Sequence, residues 1–153
     1  MMKQKESIIQ FALSHYGLKE IPGPDHTKRI LNMFRYIGFE NIKDDETPWC
    51  TAFVLYCLKK YGVSIPNTLK ARDLAKIGNA IDPSAATVCG HNFVDIPVFW
   101  RGHKHAETGH VGFFISYVKE SINILGGNQS NQVNIKSYGK SKLISMRRVY
   151  LSA

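Results

Sequence analysis

Residues 111–128 read VGFFISYVKESINILGGN. Two runs rich in β-branched and aromatic residues, Val111–Val118 and Ile122–Leu125, flank the polar turn Lys119-Glu120-Ser121, which is the pattern of an antiparallel hairpin. Moving outward, Ile96–Trp100, Val133–Tyr138 and Leu143–Tyr150 read as further strands, separated by Gly, Asn, Ser and Lys. Before Asp82 the rhythm is helical. Ile8, Ile9, Ala12, Leu13 and Tyr16 share one face of a helix over residues 3–16, closed by Gly17. A second helix is expected from Asp25 or His26 to Ile37, with Ile30, Leu31, Phe34 and Ile37 inward and Gly38 as the stop. A third runs from Pro48 to Tyr61 and a short fourth from Leu69 to Ile77. Helices first and strands after predict an α+β chain with an antiparallel sheet.

The 153 residues suit one domain, 1–153, with no repeat or linker to divide it. A 44% hydrophobic, 21% charged composition supports a packed core and excludes wholesale disorder. No apolar run approaches the roughly 18–20 residues that cross a bilayer, so no membrane partner is expected. The net charge of +8 favours acidic partners. After Glu120 no acid follows, while Lys136, Lys140, Lys142, Arg147 and Arg148 do, so this third is a candidate docking face. Cys50, Cys57 and Cys89 show no C-x-x-C spacing and cannot all pair, which predicts a reduced chain. The N-terminal stretch has neither an unbroken apolar run nor an A-x-A site, so synthesis in the cytoplasm without a signal peptide is expected.

Asp45-Glu46-Thr47-Pro48-Trp49-Cys50 carries the first chemical signal. Thr47, extended because it precedes a proline, is a fitting N-cap, and Pro48 suits the first helical position. Cys50 then falls in the first turn, where the helix dipole and unpaired N–H groups favour a thiolate and offer oxyanion donors. Cys50 also belongs to the apolar stripe Cys50, Phe53, Val54, Cys57 and Leu58, and a buried cysteine is often only a small hydrophobe. Cys57, mid-helix, is expected in the core.

A cysteine nucleophile needs an imidazole. His15 and His26 belong to helices, whereas His91, His103 and His105 fall in loops. His110 opens an apolar strand between glycines, in Gly109-His110-Val111-Gly112. A hairpin centred near Lys119 brings His110 opposite Asn128, and a half-step shift brings it opposite Gln129. Either amide can hold one ring nitrogen and leave the other for Cys50, as in Cys-His-Asn variants of the catalytic triad.

Three segments together, DETPWCTAFV at 45–54, GHVGFF at 109–114 and LGGNQSNQV at 125–133, resemble a small bacterial and phage subfamily of NlpC/P60- and CHAP-like hydrolases. The early segment Glu20–Pro24 with Arg29-Ile30-Leu31 is similar too, so the resemblance spans about residues 20 to 150. It implies a papain-like fold and a cysteine peptidase or amidase acting on peptidoglycan. Cys50 is then the nucleophile, His110 the base and Asn128 the residue orienting it. Trp49, Trp100 and Gln129 are expected at the substrate. Trp49 stands where many CHAP relatives carry a polar Gln, which leaves the second oxyanion donor unassigned.

No cofactor is expected. Peptidoglycan is the expected partner of a monomer, anionic wall polymers a further one, with delivery by a holin or a secretion machine. Three other classes compete with this reading. A wall-binding module on the same fold would bind without turnover. A zinc amidase would use His91, His103, His105 or His110, whose spacing matches no recognised ligand set. A nucleic-acid binder would carry a recognition helix or RNP motif, and neither is found.

Overall fold

A computed structural model of the chain describes residues 7–21, 28–42, 48–90 and 92–151. Three α-helices precede the strands that follow: α1 (Ile8–Leu13), α2 (Lys28–Tyr36) and α3 (Cys50–Lys60). The expected starts of the first two helices lie outside the described residues. Helix α1 opens with a capping box, in which the Gln10 N–H donates to Ser7 Oγ and the Ser7 N–H donates to Gln10 Oε1. The fourth expected helix is a 3₁₀ segment, Ala71–Lys76.

Helix α3 starts two residues later than the proline predicts. Trp49 occupies the cap position, with no side-chain cap bond, and Cys50 is the first helical residue; Thr47 lies outside the described residues. Nor is α3 buried on one stripe alone. Cys50 to Leu55, Cys57 and Leu58 are all buried, because α1 and α2 pack on one side of the helix and strands on the other.

The strands are β1 (Asn79–Ile81), β2 (Phe93–Trp100), β3 (Gly109–Val111), β4 (Phe113–Val118), β5 (Ser121–Gly126), β6 (Asn134–Gly139) and β7 (Leu143–Tyr150). They form two antiparallel sheets rather than one, in the orders β1-β7-β2-β3 and β4-β5-β6. The chain is mixed helix and antiparallel sheet, as the order of its elements predicts. The apolar run from Val111 to Val118 is not one strand. It breaks at Gly112, where a Cβ would lie 2.8 Å from Ile124 Cδ1 and 3.0 Å from the Leu125 carbonyl oxygen. Upstream of the break the chain pairs with β2; downstream it pairs with β5. Strand β2 begins at Phe93, earlier than expected, and is buried on both faces. Its Asp95 is held by Arg148, with Nε donating to Oδ1 at 2.9 Å.

The turn after α1 is tied to the segment that precedes β6. The Gly17 N–H donates to the Val133 carbonyl at 2.8 Å, Val133 N–H to Leu18 at 2.9 Å, and Glu20 N–H to Asn131 at 3.0 Å. Gly127, in the loop leaving β5, presses against α3. A Cβ there would stand 2.8 Å from Phe53 Cβ and 2.8 Å from the Trp49 ring. Gly127→Ala should therefore overpack the core and lower stability by about 1–3 kcal/mol. Urea unfolding checks this, and an unchanged midpoint would contradict the contact.

Candidate functional site

His110 lies in the middle of β3, opposite Phe99 on β2, and is 2% exposed. Its Nε2 is 2.9 Å from Gln129 Oε1. Asn128, the expected orienter, makes no such bond, and Gln129 takes that place. The pairing of β4 with β5, Phe113 opposite Leu125, does extrapolate to Asn128. The ladder ends first, because β3 has crossed to the other sheet at Gly112 and the chain after Gly126 leaves the strand. Asn128 sits at φ 56°, with Ser130 at 54° and Asn131 at 62°, all in the left-handed region. That loop turns the Gln129 side chain inward, where it is 1% exposed. Gln129 is accordingly not a residue of the substrate surface.

The network fixes the proton positions. Gln129 Nε2 donates to the Asn134 carbonyl at 2.8 Å and to Asn134 Oδ1 at 2.9 Å. Its Oε1 must therefore face His110, and an amide oxygen only accepts. Nε2 of His110 is then the protonated nitrogen, and Nδ1 carries the lone pair. Nδ1 is buried without a hydrogen-bond partner among the described residues. Tyr138 on β6 stacks on the imidazole, with centroids 4.7 Å apart and planes at 24°, and also stacks on Phe99.

Cys50 begins α3, which packs on β3. Its sulfur lies 3.9 Å from Thr51 Oγ1, and the backbone of Val111, the residue after His110, adds to its electrostatic surroundings. No hydrogen bond links the sulfur to the imidazole; catalytic contacts are often longer before a ligand arrives. Burial pushes the Cys50 thiol above its ordinary range. The Thr51 hydroxyl, the Arg101 charge and the Val111 and Thr51 amides pull the other way without reversing it. A thiolate stabilised by the helix start is thus not the resting form. Burial likewise lowers His110 to about 4; the bond to Gln129 opposes this, while Arg101 and Lys136 add to it. Near neutral pH the pair rests as thiol and neutral imidazole.

The remaining candidates fall elsewhere. Trp49 is fully buried and its Nε1 donates to Glu20 Oε1 at 3.0 Å, so it is core and does not line a groove. Trp100 is half-buried opposite Gly109, one pair along from Phe99 and His110, with Lys142 Nζ 5.4 Å from its ring. Cys57 is buried, and its thiol is held well above the usual range by that burial. Cys89 is exposed. His103 and His105 are exposed, in a loop held by Arg72, which donates to the carbonyls of Thr108, Lys104 and His103. His26 and His91 lie outside the described residues. Among the described residues no three His, Cys, Asp or Glu side chains cluster as a metal site would need. Sequence reasoning missed Asn134 and Tyr138. Nothing in the local pattern distinguishes Asn134, and Tyr138 looks like any alternating strand aromatic.

No protein-family model matches the chain, and no curated protein matches its sequence.

The depressed His110 value ties stability to pH. Above 6.5 the imidazole is neutral in folded and unfolded chains alike and contributes nothing. Between 6.5 and about 4 the unfolded chain binds a proton that the folded one does not, so stability falls as pH falls. At about 1.4 kcal/mol per unit the full effect is roughly 3 kcal/mol. Urea unfolding across this window should show a slope in the wild type that His110→Asn loses. Equal slopes in both would mean that the histidine titrates normally.

Proposed function

We propose that the chain is a cell-wall hydrolase of papain-like architecture, cutting an amide or peptide bond of peptidoglycan. The single observation that carries this reading is the oriented imidazole. His110 Nε2–H is engaged by Gln129 and the lone pair of Nδ1 is left free beside the helix that begins with Cys50. A structural histidine in a core this tight would have both nitrogens partnered.

In this mechanism His110 Nδ1 takes the thiol proton as the Cys50 sulfur attacks the carbonyl carbon. The carbonyl oxygen becomes an oxyanion, which the unpaired N–H groups of the first turn of α3 can receive. The imidazolium returns its proton to the leaving amine as the C–N bond breaks, giving a thioester. Water, deprotonated by the same nitrogen, then releases the acid and restores the thiol. Gln129 holds the imidazole through both halves. Because His110 binds a proton only near pH 4, the base should stay competent in mildly acidic solution.

The burial of both groups, with Cys50 at 7% and His110 at 2%, supports a second reading: a wall-binding module that keeps the fold without turnover. Purified peptidoglycan separates the two. Under the hydrolase reading, mass spectrometry finds released fragments with new termini, Cys50→Ala abolishes them while the protein stays folded, and EDTA has no effect. Cys57→Ala should lower stability by about 1–2 kcal/mol and spare turnover. Binding without fragments favours the module, and EDTA inhibition reversed by zinc favours a metal amidase.

The wall is anionic, and this sets a role for the basic C-terminal third. Arg147 donates to the Ile77 and Gly78 carbonyls and Arg148 pairs with Asp95, so these two are structural. Lys136, Lys140 and Lys142 remain exposed. Among the described residues no helix is long and apolar enough to cross a membrane; delivery by a holin or secretion machine belongs to this proposal. Lys140→Glu with Lys142→Glu should weaken wall binding several-fold at low salt. The difference should vanish in high salt, since exposed charges are screened within about 8 Å at physiological ionic strength. Equal loss on a small soluble muropeptide would show instead that the segment is structural.

A further inference from the structure

We propose that Asn134 is a positioning residue that sets the tautomer of His110 through the Gln129 amide. The Gln129 carbonyl can only accept, so Asn134 must point Nδ2 at it, and that donor lies 3.0 Å away. Asn134 Oδ1 is thereby turned toward Gln129 Nε2, 2.9 Å away, beside the Asn134 carbonyl at 2.8 Å. Gln129 must then present Oε1 to His110. The Ile124 carbonyl, 3.5 Å from Gln129 Nε2, is a weaker backbone acceptor beside these two, so the Asn134 side chain adds to a backbone bias, and the series ends in the protonation of Nε2.

The alternative arrangement shows what Asn134 prevents. A flipped Gln129 would aim its NH₂ at His110 Nε2, which would then have to accept. The proton would move to Nδ1, the nitrogen without a partner among the described residues. A flipped Gln129 would also set its oxygen against the Asn134 carbonyl and Oδ1, both acceptors, in a buried site where unmatched polar atoms are costly. Asn134 performs a second task. It pins the backbone of a loop whose residues Asn128, Ser130 and Asn131 all have positive φ without being glycine, a conformation that surrounding contacts must maintain. As the first residue of β6, Asn134 is anchored by its pairing with Gly126 on β5.

The tautomer statement concerns this chain whatever its activity; only the consequence for turnover rests on the hydrolase reading. The test uses the full chain labelled with ¹⁵N-histidine, the His110 ring signals being assigned by their loss in His110→Asn. At pH 7 the wild type should show one neutral tautomer, protonated at Nε2. Asn134→Leu, close in size and unable to donate or accept, should shift both ring nitrogens toward a mixture. Asn134→Asp keeps an acceptor for Gln129 Nε2 but loses the donor to the Gln129 carbonyl, so it should retain the Nε2-protonated tautomer at a cost in stability. Should Asn134→Leu fail to fold, Asn134→Ala removes the same amide without added bulk and gives the same readout. A wild type protonated at Nδ1 overturns the proposal, as does a folded Leu or Ala variant with an unchanged pattern. In a hydrolysis assay Asn134→Leu should lower kcat about tenfold with KM unchanged, and should have no further effect in a Gln129→Met background. A wild type that cleaves nothing would sink the hydrolase reading and leave the tautomer result standing.

Discussion

The hydrogen bond from His110 Nε2 to Gln129 Oε1 joins the two sheets where both are driest. His110 belongs to the sheet built on β2; Gln129 hangs from the loop that leaves β5 in the other sheet. An imidazole edge and an amide in residues left only 2% and 1% exposed would each carry a desolvation penalty of a few kcal/mol if unmatched. The surrounding structure is arranged so that they match. Gly112 lets the chain change sheets without a steric clash, the left-handed loop turns Gln129 inward, and Tyr138 covers the open face of the ring. A network of this kind stabilises when complete and destabilises when half made.

Burial also settles the competition over the Cys50 thiol. Placement at the head of α3 favours the anion, but a helix terminus contributes only about 0.3–1 kcal/mol, up to about 2 in favourable geometry. Removing a charged sulfur from water costs several kcal/mol. The larger effect wins, and the thiol stays protonated with its pKa raised. The same physics depresses His110, so the two shifts reinforce one another: each group keeps its neutral form and the pair carries no net charge. Under the proposed hydrolase reading, such a pair generates its nucleophile at the moment of attack rather than storing a thiolate.

Periodicity exposed the helices and strands because burial is periodic, and α3 and β7 lie close to their expected bounds. It failed where a tertiary contact overrides local preference. The break falls at Gly112, a position that Ile124 and Leu125 crowd so closely that only a glycine fits, a fact held in residues twelve or more places away. The same break defeated hairpin arithmetic at Asn128 and brought Gln129 in. Pro48 pointed to a helix start, yet the helix waits until Cys50. Trp49 read as a groove residue, whereas its partner Glu20 is invisible to local pattern. Cys50 and His110 were legible from residue type and local punctuation; Asn134 and Tyr138 were not, since their importance arises only from what they face.

The ladder between residues 17–20 and 131–133 has a consequence for how the molecule comes into being. A ribosome makes the first of these segments long before the second. Until the later one emerges, the turn after α1 lacks its hydrogen-bonding partners and the loop bearing Gln129 does not yet exist. Contacts this distant in sequence slow folding, because a long loop must close before they form. The helices can gather early, but His110 receives its orienting partner only when nearly the whole chain is out. A product of synthesis that stops before residue 129 thus holds Cys50 and His110 without the amide that orients the imidazole, which makes the loop before β6 the last part of the site to arrive.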